Sequence, residues 1–113
     1  NRYQVPYVPG SQTVTEVVQA MTYGSDVVKV FPGDILGPSF IKDVKGPIPY
    51  ASLMPSGGVS LDNVADWVKA GAVAVSAGSA IYKGAKTGDF DLVTETAKKF
   101  VEEFKKAKAS LAK

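Results

Sequence analysis

Four times along the chain a short apolar run gives way to a segment with helical spacing, with glycine or proline at the joint. This alternation is the mark of βα units building a parallel sheet, and it narrows the fold more than any other feature. The first unit pairs a strand near Val5 to Val8 with a helix from about Val14 to Met21, in which Val14, Val17, Val18 and Met21 share a face. Thr13 can cap that helix, with Glu16 three residues on completing a capping box. The second unit is an apolar strand through Lys29, followed by a helix from about Ser39 to Lys45 that buries Phe40, Ile41 and Val44 and stops at Gly46-Pro47. The third runs from Ala51 to Met54, breaks at "PSGGVS", and resumes as a helix carrying Leu61, Val64, Ala65 and Val68, closed by Gly71. The fourth begins with "AVAVSAGSA". A long helix then runs from about Asp89 to Ala107, with Val93, Ala97, Phe100, Val101 and Phe104 spaced as core. Its lysines, Lys98, Lys99, Lys105, Lys106 and Lys108, alternate with Glu95, Glu102 and Glu103 and read as a solvated face.

With 113 residues, 45% hydrophobic and 21% charged, the chain has the size and balance of one globular domain. Its net charge of +2 comes from 13 basic against 11 acidic residues, with no basic stripe, so nucleic acid is not an expected partner. There is no cysteine and no histidine, which removes the thiol nucleophile, the thiolate metal site and the commonest general base. Chemistry must rest on lysine, carboxylates, hydroxyls and backbone groups. No apolar run approaches the roughly 18 residues that span a bilayer, and the start "NRYQVPYVPG" lacks a signal-peptide pattern, so the expectation is a cytoplasmic protein without a membrane partner. The missing initiator methionine and the early run "VPYVP" predict a sequence that begins partway through a longer protein.

Two places carry candidate chemistry. In "PSGGVSLDN", Gly57 and Gly58 let the backbone bend tightly after a strand, so that amide N–H groups can point at an anion. In "SAGSAI", Gly78 and Ser79 repeat the device one strand later, where (β/α)8 barrels often hold a phosphate. The glycines could equally serve only to turn the chain. The other place is "DVVKVFPGD", in which Lys29 interrupts a buried-looking strand. Alternation sends Val28 and Val30 to one face and Val27, Lys29 and Phe31 to the other. A parallel sheet covered on both faces would bury the ammonium, lower its pKa and leave a neutral amine able to form a Schiff base with a ketone. The alternative is a lysine that snorkels to solvent or pairs with Asp26 or Asp34.

At these residues the chain resembles the 2-keto-3-deoxy-6-phosphogluconate (KDPG) aldolases, which overlap with the 4-hydroxy-2-oxoglutarate (KHG) aldolases. "VVKVFPGD" is similar to that family's Schiff-base strand, and "MPSGGVSLDNV" to its Pro-Thr-Gly-Gly phosphate loop with Ser56 in place of threonine. "YVPGSQTVTE" matches the Pro-Gly strand end before the lysine strand, and "AVSAGSAI" the glycine-serine turn of the last strand, with Ser76 where glycine is frequent. The resemblance implies a (β/α)8 TIM barrel. Its reaction would be the reversible cleavage of a phosphorylated 2-keto acid to pyruvate and glyceraldehyde 3-phosphate, in carbohydrate metabolism of the Entner-Doudoroff kind, with no metal or other cofactor. By position it implies Lys29 as the Schiff-base nucleophile, Phe31 and Pro32 as pocket lining, and Ser56, Gly57, Gly58, Gly78 and Ser79 as phosphate-binding residues.

The match covers the second half of that barrel, about four βα units. The first half, which in the family supplies a glutamate general acid and base and a carboxylate-binding arginine, has no counterpart; Asp34 is the substitute base that position offers. Four units cannot close a barrel and leave two edges and an apolar face uncovered. A first-half segment, a second copy of the chain, or collapse into an open flavodoxin-like sheet would each answer this. The family resemblance implies a homo-oligomer, a trimer when full length. A noncatalytic half-barrel that only folds or binds phosphate is the competing expectation.

Overall fold

The computed structural model describes residues 3–111; Asn1, Arg2, Ala112 and Lys113, the ends of the predicted 1–113 unit, lie outside them. Three short parallel strands, β1 (Gly10–Ser11), β2 (Val28–Val30) and β3 (Leu53–Pro55), form one sheet in the order β1-β2-β3. Between them run the helices α1 (Val14–Thr22) and α2 (Gly33–Lys45), and after β3 come α3 (Val64–Ala70), α4 (Ser79–Tyr82), a 3-10 turn at Lys83–Thr87, and α5 (Phe90–Leu111). Among the described residues no helix is long and apolar enough to cross a membrane.

Local chemistry explains most element ends. The Thr13 side chain accepts from the Glu16 N–H at 3.1 Å, as the sequence predicts, while the Glu16 carboxylate accepts from the Gln12 N–H, one residue before the cap, and from the Thr13 hydroxyl. Helix α2 starts six residues earlier than its apolar spacing indicated, because Gly37 (φ 76°) and Pro38 break it into two helical pieces and hide the first from a periodicity search. Gly71, at φ 112°, takes the left-handed position that ends α3.

Three expectations are corrected. The first strand is not at Val5–Val8, whose three hydrophobic residues are exposed, but at Gly10–Ser11, where Lys29 N–H donates to Pro9 O and the ladder with β2 begins. The fourth strand does not form as a ladder. Residues 73–76 follow β3 through Val73 N–H to Leu53 O, Ser76 N–H to Pro55 O and a single Ser56–Ser76 bridge. Among the described residues no strand pairs with the far side of this segment, so it is left as an edge with a single bridge. Of the predicted α5 core, Phe100 is buried and Phe104 partly so, but Val101 is 53% exposed and faces an apolar groove of about 610 Å³ beside residues 73–77.

The sheet itself is covered on one face only. Val28, Val30 and Leu53 are fully buried and join Val17, Ile41, Val44, Val64 and Trp67 in the core, each such side chain contributing about 1.5–3 kcal/mol. The residues between them, Lys29 and Met54, are half-buried, and with Gly10 they form one register row on the opposite face. The sequential strand order fits the usual right-handed crossover, which returns α1 and α2 to one side of the sheet. A flavodoxin-like sheet would instead place β1 between its neighbours. Trp67→Ala, in this core, should cost about 3–5 kcal/mol in urea unfolding, whereas Val101→Ala should change stability by no more than about 0.5 kcal/mol.

Candidate active site

Strand alternation decides where each candidate side chain goes. Because Val28 and Val30 are held in the core, Lys29 projects from the open face, and Phe31, two residues on, follows it. The Lys29 ammonium lies 5.1 Å from the centre of the Phe31 ring, within reach of its π face. Among the described residues Lys29 pairs with neither Asp26 nor Asp34. It is half-buried rather than enclosed, because the face it stands on carries no second layer.

The chain leaves β3 through a bend that several contacts hold. Ser56 N–H donates to Val30 O at 2.9 Å, and Gly33 N–H to Ser56 O at 2.7 Å, tying the start of α2 to the end of β3. Gly57 (φ 94°) and Gly58 (φ 72°) then take left-handed conformations that side chains disfavour. Asn63, which no motif in the sequence singles out, closes the loop: its amide nitrogen donates to Gly58 O and its oxygen accepts from Ser60 N–H, both at 2.8 Å. Asn63 stands immediately before α3, yet its side chain makes no cap hydrogen bond to that helix and turns back to the loop instead. Asp34 packs behind this loop, where a Cβ on Gly58 would meet the Asp34 Cβ at 2.5 Å.

The bridge between Ser56 and Ser76 sets the second glycine turn beside the first. Together they enclose a groove of about 520 Å³, whose lining includes Phe31, Ser56, Gly57, Gly58, Gly78 and Ser79. Six candidate residues from three separate stretches of chain thus meet at one place. Pro32 and Lys29 are not among the lining residues; Lys29 borders the groove across the Phe31 ring. Lys29 is in register with Met54, and Ser56 lies two residues further along the same face, roughly 6–7 Å along the strand. Among the described residues, the N–H groups of Gly58, Gly78 and Ser79 donate to no protein acceptor, while the Ser56–Ser76 bridge turns the Gly57 N–H toward Ser76 O. The groove is therefore a set of neutral donors with an amine at its border. Lys83 also lines it, and it is the one charged residue that does.

Comparison with known proteins identifies the chain's relatives. The family model described as KDPG and KHG aldolase matches residues 1–96. The 2-dehydro-3-deoxy-6-phosphogalactonate aldolase of Escherichia coli (strain K12) is 30% identical over 106 residues, covering 93% of this chain and 51% of that protein. The 2-dehydro-3-deoxy-phosphogluconate aldolase of Treponema pallidum (strain Nichols) is 33% identical over 93 residues, 80% of this chain and 44% of that protein. A solved structure described as native KDPGal superimposes with a TM-score of 0.86 at 29% identity, covering 94% of this chain and 51% of the other. The chain thus spans about half the length of the relatives it matches.

Gly58→Ala should destabilise the chain by about 1–3 kcal/mol from backbone strain alone, and more from the collision with Asp34. Gly10→Ala, where an added Cβ meets nothing within 4 Å, is the control for a urea titration, with little change expected.

Proposed function

The chain belongs to the KDPG and KHG aldolase family, and from that premise we propose that it is the lysine-bearing, phosphate-binding half of a Schiff-base aldolase barrel. The observation that carries this reading is the placement of Lys29 on the open face of β2, one aromatic ring away from a groove of unpaired amide donors. The proposed substrate is 2-keto-3-deoxy-6-phosphogluconate, with 4-hydroxy-2-oxoglutarate as a second one. In this reading the open face of the sheet is the barrel lumen, and a first-half segment of the family kind supplies the other strands and covers the free edges. The assembled protein would be cytoplasmic and homo-oligomeric, a trimer by family resemblance.

The reaction follows from an amine beside an anion site. With the phosphate held by the amides of Gly58, Gly78 and Ser79 and by the Ser56 hydroxyl, the substrate ketone comes to the Lys29 nitrogen. The neutral amine adds to C2, and loss of water leaves an iminium. The bond between C3 and C4 then breaks as the C4 hydroxyl gives up its proton. Its electron pair passes into the iminium to form an enamine, and glyceraldehyde 3-phosphate departs. Protonation of the enamine at C3 and hydrolysis of the imine release pyruvate and return the lysine. Phe31 and Pro32 would shield the amine from solvent. The proton shuttle of the family is a first-half glutamate; Asp34, packed behind the Gly58 loop and outside the groove lining, is poorly placed to replace it.

A second reading, a half-barrel that binds phosphate without turnover, draws on the uncovered face around Lys29. Borohydride in the presence of pyruvate separates the two. With a family first-half segment supplied, one reduced pyruvyl group should appear on Lys29 by peptide mass mapping, and Lys29→Ala should abolish it. A completed barrel that gives no adduct rules the aldolase reading out. For the chain alone, pyruvate release should be absent or very slow.

A further inference from the structure

We propose that Lys83 supplies the cationic contact to the phosphoryl group in the groove between the two glycine turns, so that it selects phosphorylated 2-keto acids over unphosphorylated ones. The inference rests on the reading of that groove as the phosphate site. Neutral amides alone leave a phosphate's charge, about −1.5 to −2 near neutral pH, without a full countercharge. Of the residues lining the groove, Lys83 alone is charged, and no carboxylate stands among them to compete for it.

Its position follows from the local fold. Lys83 N–H donates to Ser79 O, which places the two residues one helical turn apart. Residues at that spacing share a face, so Lys83 rises over the same groove that Ser79 opens. Among the described residues the Lys83 ammonium is in no ion pair, and the side chain is exposed, so no other contact must break before it turns to a ligand. Tyr82 fills the neighbouring space, since a Cβ on Gly78 would meet its ring at 3.3 Å. The groove consequently has a nucleophile candidate at one border, where Lys29 meets Phe31, and a positive charge elsewhere on its rim. That arrangement would orient a substrate with a ketone at one end and a phosphate at the other.

The test is titration of the chain with inorganic phosphate, read from the amide resonances of Gly57, Gly58, Gly78 and Ser79. Lys83→Met should weaken the affinity roughly three- to tenfold, the size of a lost charge-assisted contact, and flatten its dependence on salt. Lys83→Arg should restore most of the affinity, and Lys83→Glu should abolish binding. Lys86→Met, which changes an exposed lysine outside the groove, should leave it unaltered. Shifts that move the four amides equally well in Lys83→Met would overturn the role of Lys83 while leaving the phosphate groove standing. Failure of phosphate to shift them in the unmodified chain would remove both.

Discussion

The pairing of β2 with β3 is the constraint from which the rest of the molecule follows. Val28, Lys29 and Val30 stand opposite Leu53, Met54 and Pro55, and the fully buried members of the two rows fix which face meets the helices. A slip of one residue would drive the Lys29 ammonium into the core and expose two valines, at a cost no local contact offsets. The position of the amine is thus enforced by its neighbours. The same ladder continues one residue further through Ser56 N–H to Val30 O, so the register that orients Lys29 also aims the first glycine turn.

Around that ladder the site is assembled from pieces that do little alone. The Gly57-Gly58 bend is held from three sides: by Gly33 through Ser56, by Asn63 through Gly58, and by Asp34 at its back. Such fixation lets a loop present N–H groups to a ligand without first ordering itself, which lowers the entropic cost of binding. The Ser56–Ser76 bridge then carries the second turn to its place. The sheet and its two turns are built in this way to a definite shape, while the face that carries Lys29 and the groove beside α5 remain open among the described residues.

What could be read in the residues and what could not divides along the range of the forces involved. The α1 cap, the α3 stop at Gly71 and the two glycine turns depend on contacts within a few residues, and each was legible. The early start of α2 was not, because Gly37 and Pro38 interrupt its period. The strand at Gly10–Ser11 was misplaced to Val5–Val8 because apolar content marks a segment that would gain from burial, whereas pairing requires a neighbour. Val101 carries a core-like period for the same reason, yet nothing among the described residues covers it. Asn63 and Lys83 carry no mark in the sequence, because such a polar side chain acquires its meaning from what lies across space from it.

By itself the sequence determined the alternation of strand and helix, the face of β2 that would be apolar, the backbone freedom at residues 57 and 58, and a family resemblance carried by four motifs. These are consequences of periodicity and of single-residue stereochemistry, both of which act along the chain. Only the tertiary structure decided that helices cover one side of the sheet, that Lys29 stands half-open beside Phe31, and that the two glycine turns share a groove with Lys83. Those outcomes come from strand order and register, which join residues far apart in the chain and which no local pattern encodes.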